Sequence, residues 1–166
     1  MTSGDVERFA HIVAAEFRRR LLDEQLPRLR RCAELLGDSR IWRRPHRHGN
    51  SVGNLLLHLA GNTTQWILAT FGAVDDRRER AAEFAAEGGR SAAELVELLE
   101  RTYLRAVAVV EALPAAELLR PRVVQGYQET GLSAVLHVLE HGAGHAYQIY
   151  AATKQALDVD LRFYDL

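Results

Sequence analysis

Apolar positions recur at three- and four-residue spacing along almost the whole chain, the period of helices packed on one side. From about residue 4 to 36, Phe9, Ile12, Val13, Phe17, Leu21 and Leu22 keep that spacing. Pro27 lacks a backbone donor and crowds the preceding turn, so it predicts a bend or a division there. Gly37 predicts a stop. Residues 38–50 read as a connection. A second helix starts at Asn50 or Ser51, both good N-caps, and carries Leu55, His58, Leu59, Trp66, Ile67 and Phe71 to about Gly72. Residues 73–90 read as a charged connection that turns at Gly88 and Gly89. Ser91 and Glu94 have capping-box spacing, and a third helix follows through Leu95, Leu99, Val107 and Val110 to a stop before Pro114. The stretch 114–130 reads as a polar crossover with a short helical piece at 115–119. Within it, 122–127 is the best short strand. The fourth helix spans about 132–157. Four long amphipathic helices with two longer connections predict an all-α four-helix bundle.

Length and composition narrow the functions open to such a bundle. The 166 residues are one domain's worth, 1–166, with 48% apolar and 26% charged side chains. The 21 basic and 22 acidic residues leave a net charge of −1, without the basic excess of a nucleic-acid binder. The single cysteine, Cys32, excludes an intramolecular disulfide framework and a multi-cysteine zinc site; its apolar helix context reads as a structural thiol. No apolar run approaches the roughly 20 residues of a membrane span, and the N-terminus is polar, so the expected location is the cytoplasm.

The chemistry concentrates in the histidines. His137, His141 and His145 are spaced by four, so each step rotates only about 40° and all three lie on one slowly drifting stripe. Neighbours at i and i+4 can share a metal ion, whereas His137 and His145 stand roughly 12 Å apart along the axis. The ligand pair is therefore His137/His141 or His141/His145. A third ligand is expected from a facing helix, and His58 is the candidate. Its face also carries Ser51, Leu55, Asn62, Gln65 and Ala69, the mixed stripe of a polar site inside a bundle. Interior histidines satisfied by hydrogen bonds are the alternative. Three neutral imidazoles would leave a divalent ion its full charge and open positions for water or a thiol. Asn62 and Gln148 could hydrogen-bond the imidazoles. Arg43, Arg44 and Arg47 could bind an anionic substrate at the mouth of the bundle; solvated loop charge is the simpler reading.

Asn50-Ser51-Val52-Gly53-Asn54-Leu55, then His58-Leu-Ala-Gly-Asn62 and Trp66-Ile67, resemble the second helix of the DinB/YfiT-like superfamily, and within it the DUF1572 family. Gln125-Gly126-Tyr127, the His137-x3-His141-x3-His145-x2-Gln148 run and the Phe163-Tyr164 tail resemble the same family. The resemblance implies an up-down-down-up bundle, often dimeric. It also implies a divalent metal, zinc or nickel, held by His58, His141 and His145. His137 then stands beside the ligand set, with Asn62, Gln65 and Gln148 as neighbouring pocket residues. Some relatives transfer low-molecular-weight thiols such as mycothiol or bacillithiol, and many have no assigned activity. The implied function is a metal-dependent S-transferase using a small-molecule thiol and an electrophile. A metal-dependent hydrolase or a non-enzymatic stress-response protein that binds metal are the alternatives. Gly142, Gly144 and Tyr147 depart from the family pattern. The two glycines leave room for a close approach, by a helix or a substrate.

Overall fold

A computed structural model describes residues 2–163, apart from the Ser3 side chain; Tyr164 of the family-like tail lies outside them. The first helical segment is α1 (Ser3–Arg18), a wide π-helical turn (Arg19–Gln25) and α2 (Leu26–Arg40). Pro27 lies in the first turn of α2 and follows the π turn directly. The wider turn absorbs the missing donor and the ring clash, so the chain continues rather than breaks. Gly37 leaves the helical region at φ 59° and ψ −179°, so the chain turns where a stop is predicted, although helical hydrogen bonding resumes to Arg40.

The second bundle helix is α3 (Val52–Thr63), extended by a second π turn at Thr64–Ala69. Its N-terminus shows why its motif has those residue types. Ser51 Oγ accepts from the Asn54 N–H, and Asn54 Oδ1 accepts from the Ser51 N–H, a reciprocal cap. The Asn54 amide nitrogen then donates to the carbonyls of Glu83 and Ala86. Gly53 is required because a Cβ there would lie 2.7 Å from the Trp42 ring.

The 73–90 connection holds an element absent from the periodicity reading, the short helix α4 (Arg80–Ala85). None of its residues is fully buried, so no apolar stripe marks it. Its place is fixed from outside, by Asn54 and by Arg44, whose guanidinium donates to the carbonyls of Phe84 and Gly49. After α4, α5 (Ala92–Glu111) starts at the Ser91–Glu94 box, and α6 (Ala115–Leu119) fills the expected short helical stretch. Where one strand is expected there is a hairpin, β1 (Pro121–Val124) against β2 (Tyr127–Thr130). The period-two signal could not show that Gln125 and Gly126 form its turn, both at positive φ (54° and 84°). Finally, α7 (Gly131–Leu157) completes the bundle.

Contacts between helices fix their directions. Arg18 pairs with Glu111 and Arg30 with Glu100, so the α1–α2 segment runs antiparallel to α5. Gln25 meets Gly142, and Cys32 meets Thr153, so the same segment runs parallel to α7. His58 meets His141 and Asn62 meets His137, so α3 runs antiparallel to α7. The arrangement is the expected up-down-down-up, with α3 and α7 as neighbours. Phe17, Leu21, Leu29, Leu59, Leu99, Tyr103 and Ile149 fill the core, with Cys32 buried among them. Among the described residues, no helix is long and apolar enough to cross a membrane.

Leu99 has no exposed surface and lies at the centre of this core. Leu99→Ala is expected to cost about 2–5 kcal/mol of stability through the cavity it leaves, read as a lower urea midpoint at unchanged slope.

Candidate metal centre

The antiparallel pairing of α3 and α7 brings His58, His141 and His145 together, with one ring nitrogen of each within 4.8 Å of the others. His58 is buried; the other two are half-buried. His58 Nε2 faces His141 Nε2 at 3.0 Å. The rings of His141 and His145 have centroids 4.5 Å apart, and those of His58 and His145 4.9 Å.

His58 is oriented from behind. Its Nδ1 lies 2.8 Å from Glu83 Oε2, and an ionised carboxylate only accepts, so Nδ1–H is the donor. Arg78 Nη2 also lies 3.0 Å from the same Nδ1; with the proton on Nδ1 toward Glu83, the His58 Nε2 lone pair faces the other two imidazoles. Arg78 holds Glu83 in turn, donating from Nε to Oε1 (2.7 Å) and from Nη2 to Oε2 (2.9 Å). Arg78 Nη1 also donates to Gln65 Oε1 at 3.0 Å. Gly61 makes room for this arrangement: a Cβ there would stand 1.9 Å from Glu83 Oε1. Phe84 lies against the His58 ring, with centroids 4.5 Å apart.

Electrostatics keep His141 and His145 in their ligand form. Burial pushes the Glu83 carboxyl up, but hydrogen bonds from His58 and Arg78, with the Arg78 charge, outweigh it and leave the group below its ordinary value. Burial, reinforced by the neighbouring histidines and Arg78, pushes His141 down to about 3. Burial also lowers His145, partly offset by Gln148, whose Oε1 lies 3.0 Å from His145 Nδ1. Neutral imidazole is the form that binds metal.

The donor set fits a divalent ion. Two Nε2 atoms facing each other at 3.0 Å can share only one proton in the contact between them. His141 Nδ1 is buried and has no hydrogen-bond partner among the described residues. A cation among the three nitrogens takes up their lone pairs and leaves each ring a single N–H. Three neutral nitrogens suit zinc or nickel without choosing between them.

The remaining candidates fall around this set. His137 stacks on Trp66, with centroids 3.5 Å apart, and its Nε2 lies 3.2 Å from Asn62 Nδ2. Its ring is 5.3 Å from that of His141, one step outside the triplet. Asn62 therefore meets His137 rather than one of the three. Gln65 meets Arg78, two contacts removed from His58. Gly142 lies against Gln25, the close helix approach a glycine allows, whereas Gly144 faces open space.

Glu83 and Arg78 were missed by the sequence reading. They stand 25 and 20 positions from His58, inside a segment whose charges read as solvated. The available signal was Glu83 itself, an acid flanked by Ala82 and Phe84.

These features define an all-α bundle with three converging imidazoles on two antiparallel helices. The family model of the DinB superfamily matches residues 21–149, and the chain belongs to that superfamily. Two solved structures share the fold. A DinB-like protein from Bacillus cereus ATCC 10987 is 13% identical with a TM-score of 0.65, over 81% of this chain and 87% of that one. A DinB-like protein from Bacillus subtilis is 15% identical with a TM-score of 0.65, over 89% and 94%. No curated protein matches the chain.

In metal-stripped protein, His141 has a folded value of about 3 against an ordinary 6.5. The unfolded chain therefore takes up the proton first, and stability falls as pH drops through 6.5. Chemical denaturation from pH 7.5 to 5 should show that decline, with a shallower slope in His141→Gln; equal slopes would refute it.

Proposed function

We propose that the protein binds one divalent ion, zinc or nickel, through His58, His141 and His145, and uses it to activate a small-molecule thiol for attack on an electrophile. The observation that carries this reading is the convergence of three imidazoles on one point, with Glu83 against Nδ1 of His58. A divalent ion held there is a Lewis acid that lowers the pKa of a thiol or water it touches. Three protein ligands leave a position for that molecule.

The chain's own residues have distinct tasks. His58, His141 and His145 present lone pairs without adding negative charge. Glu83 holds the His58 proton on Nδ1 and so keeps Nε2 free. Arg78 neutralises Glu83, which keeps the centre electron-poor. Gln148 orients His145 in the same way through Nδ1. Cys32 is buried away from the centre, and burial pushes its thiol up, so the nucleophile comes from outside the chain. This supports a transferase using an external thiol, and a hydrolase if water takes the open position. The resemblance to thiol-using relatives favours the transferase, working as a homodimer in the cytoplasm.

A second reading is metal binding without turnover. It keeps the convergence of the three imidazoles and requires no substrate beside it. Loss of free thiol in the presence of an alkyl halide, by metal-loaded protein only, separates the two.

Elemental analysis of untagged protein should give about one zinc or nickel per chain. His58→Ala should lose it, and His137→Ala should keep it. Metal retained in His58→Ala refutes the ligand set. Glu83→Gln and Gly61→Ala should each weaken zinc affinity by about 10–100-fold, measured by competition with a chelating dye, while circular dichroism stays unchanged.

A further inference from the structure

Beyond the imidazoles, the stripe on α7 that carries His141 and His145 continues through Gln148 and Ala152 to Gln155 and Ala156, at steps of three and four. Its far end opens into a cavity of about 400 Å³. Arg40, Arg43 and Arg44 line this cavity together with the Asn50 and Gln155 side chains, and no aspartate or glutamate does. Arg44 is held by the carbonyls of Gly49 and Phe84, so its charge is fixed in place. The side chains of Arg40 and Arg43 make no hydrogen bond or ion pair with any described residue. Three guanidinium groups lining a cavity without an acid suit an anion better than a structural ion-pair network.

One residue of the cavity wall holds the segment that packs on the histidine cluster. Arg44 donates to the backbone of Phe84, and the Phe84 ring lies against His58. Along α7, Ala152 is seven residues beyond His145, roughly 10 Å of helix rise.

We propose that this cavity binds the anionic end of the substrate: a small molecule carrying a carboxylate or phosphate roughly 10 Å from its reacting atom. The proposal rests on the metal-centre reading only for the position of the reacting end. The arginine cavity itself is independent of metal.

Isothermal titration at low salt tests it, with inorganic phosphate and succinate as probes and zinc-loaded protein in the cell. Wild type should bind at least one of the two dianions saturably, and added sodium chloride should weaken binding. Arg40→Gln/Arg43→Gln should weaken it at least about tenfold while zinc content stays unchanged. His58→Ala protein should keep the wild-type affinity, which places the anion away from the metal. The probe that binds, phosphate or succinate, identifies the headgroup. No saturable binding of either probe, unchanged affinity in the double variant, or loss of binding in His58→Ala would each overturn the proposal. Zinc missing from the wild type would instead refute the metal reading and leave the His58→Ala and arginine comparisons intact.

Discussion

Glu83 is an ionised carboxylate whose side chain is only 11% exposed, paired with an Arg78 side chain that is 5% exposed. Burying such a pair has a large desolvation cost, and the attraction between the two charges roughly offsets it rather than exceeding it. The pair gives orientation. It holds one proton on His58 Nδ1, and through that proton it decides which nitrogen of His58 faces α7. Much nearby structure serves this contact. Gly61 omits a Cβ so that the carboxylate can approach, Asn54 ties the α4 backbone to the start of α3, and Arg44 ties it to the 38–50 connection.

The bundle's direction pattern has an equally local consequence. Since α3 and α7 are antiparallel neighbours, a rise of four residues on one corresponds to a fall of four on the other. His58 therefore meets His141, and Asn62 meets His137. The i, i+4 spacing on α7 lets His145 join from the other side. His137 has the same spacing from His141 but stacks instead on Trp66, which lies in the π turn after Thr63. The choice between the two possible histidine pairs is thus made by the opposite helix.

Charge is distributed in two different ways around the centre. Behind His58, the Arg78–Glu83 pair is enclosed, which suits the support of a ligand. At the far end of the α7 stripe, Arg40 and Arg43 are exposed without acidic partners, which suits attraction of a negatively charged group from water. That contrast is what the proposed anion site adds to the proposed metal centre.

The sequence by itself determined the four long helices, the Ser51 and Ser91 caps, the turn at Gly37 and the helical stripe of histidines. Each of these depends on spacing within a turn or two of helix, which neighbouring residues dictate. Tertiary structure decided what depends on distant segments meeting. It made a hairpin of 121–130, replaced the bend at Pro27 by a π turn, and folded the charged 73–90 stretch into α4. It also paired His58 with Glu83, 25 residues away, in a segment without periodicity. A buried charge is recognisable only when its partners surround it, and here they come from α3 and from the 73–90 segment itself.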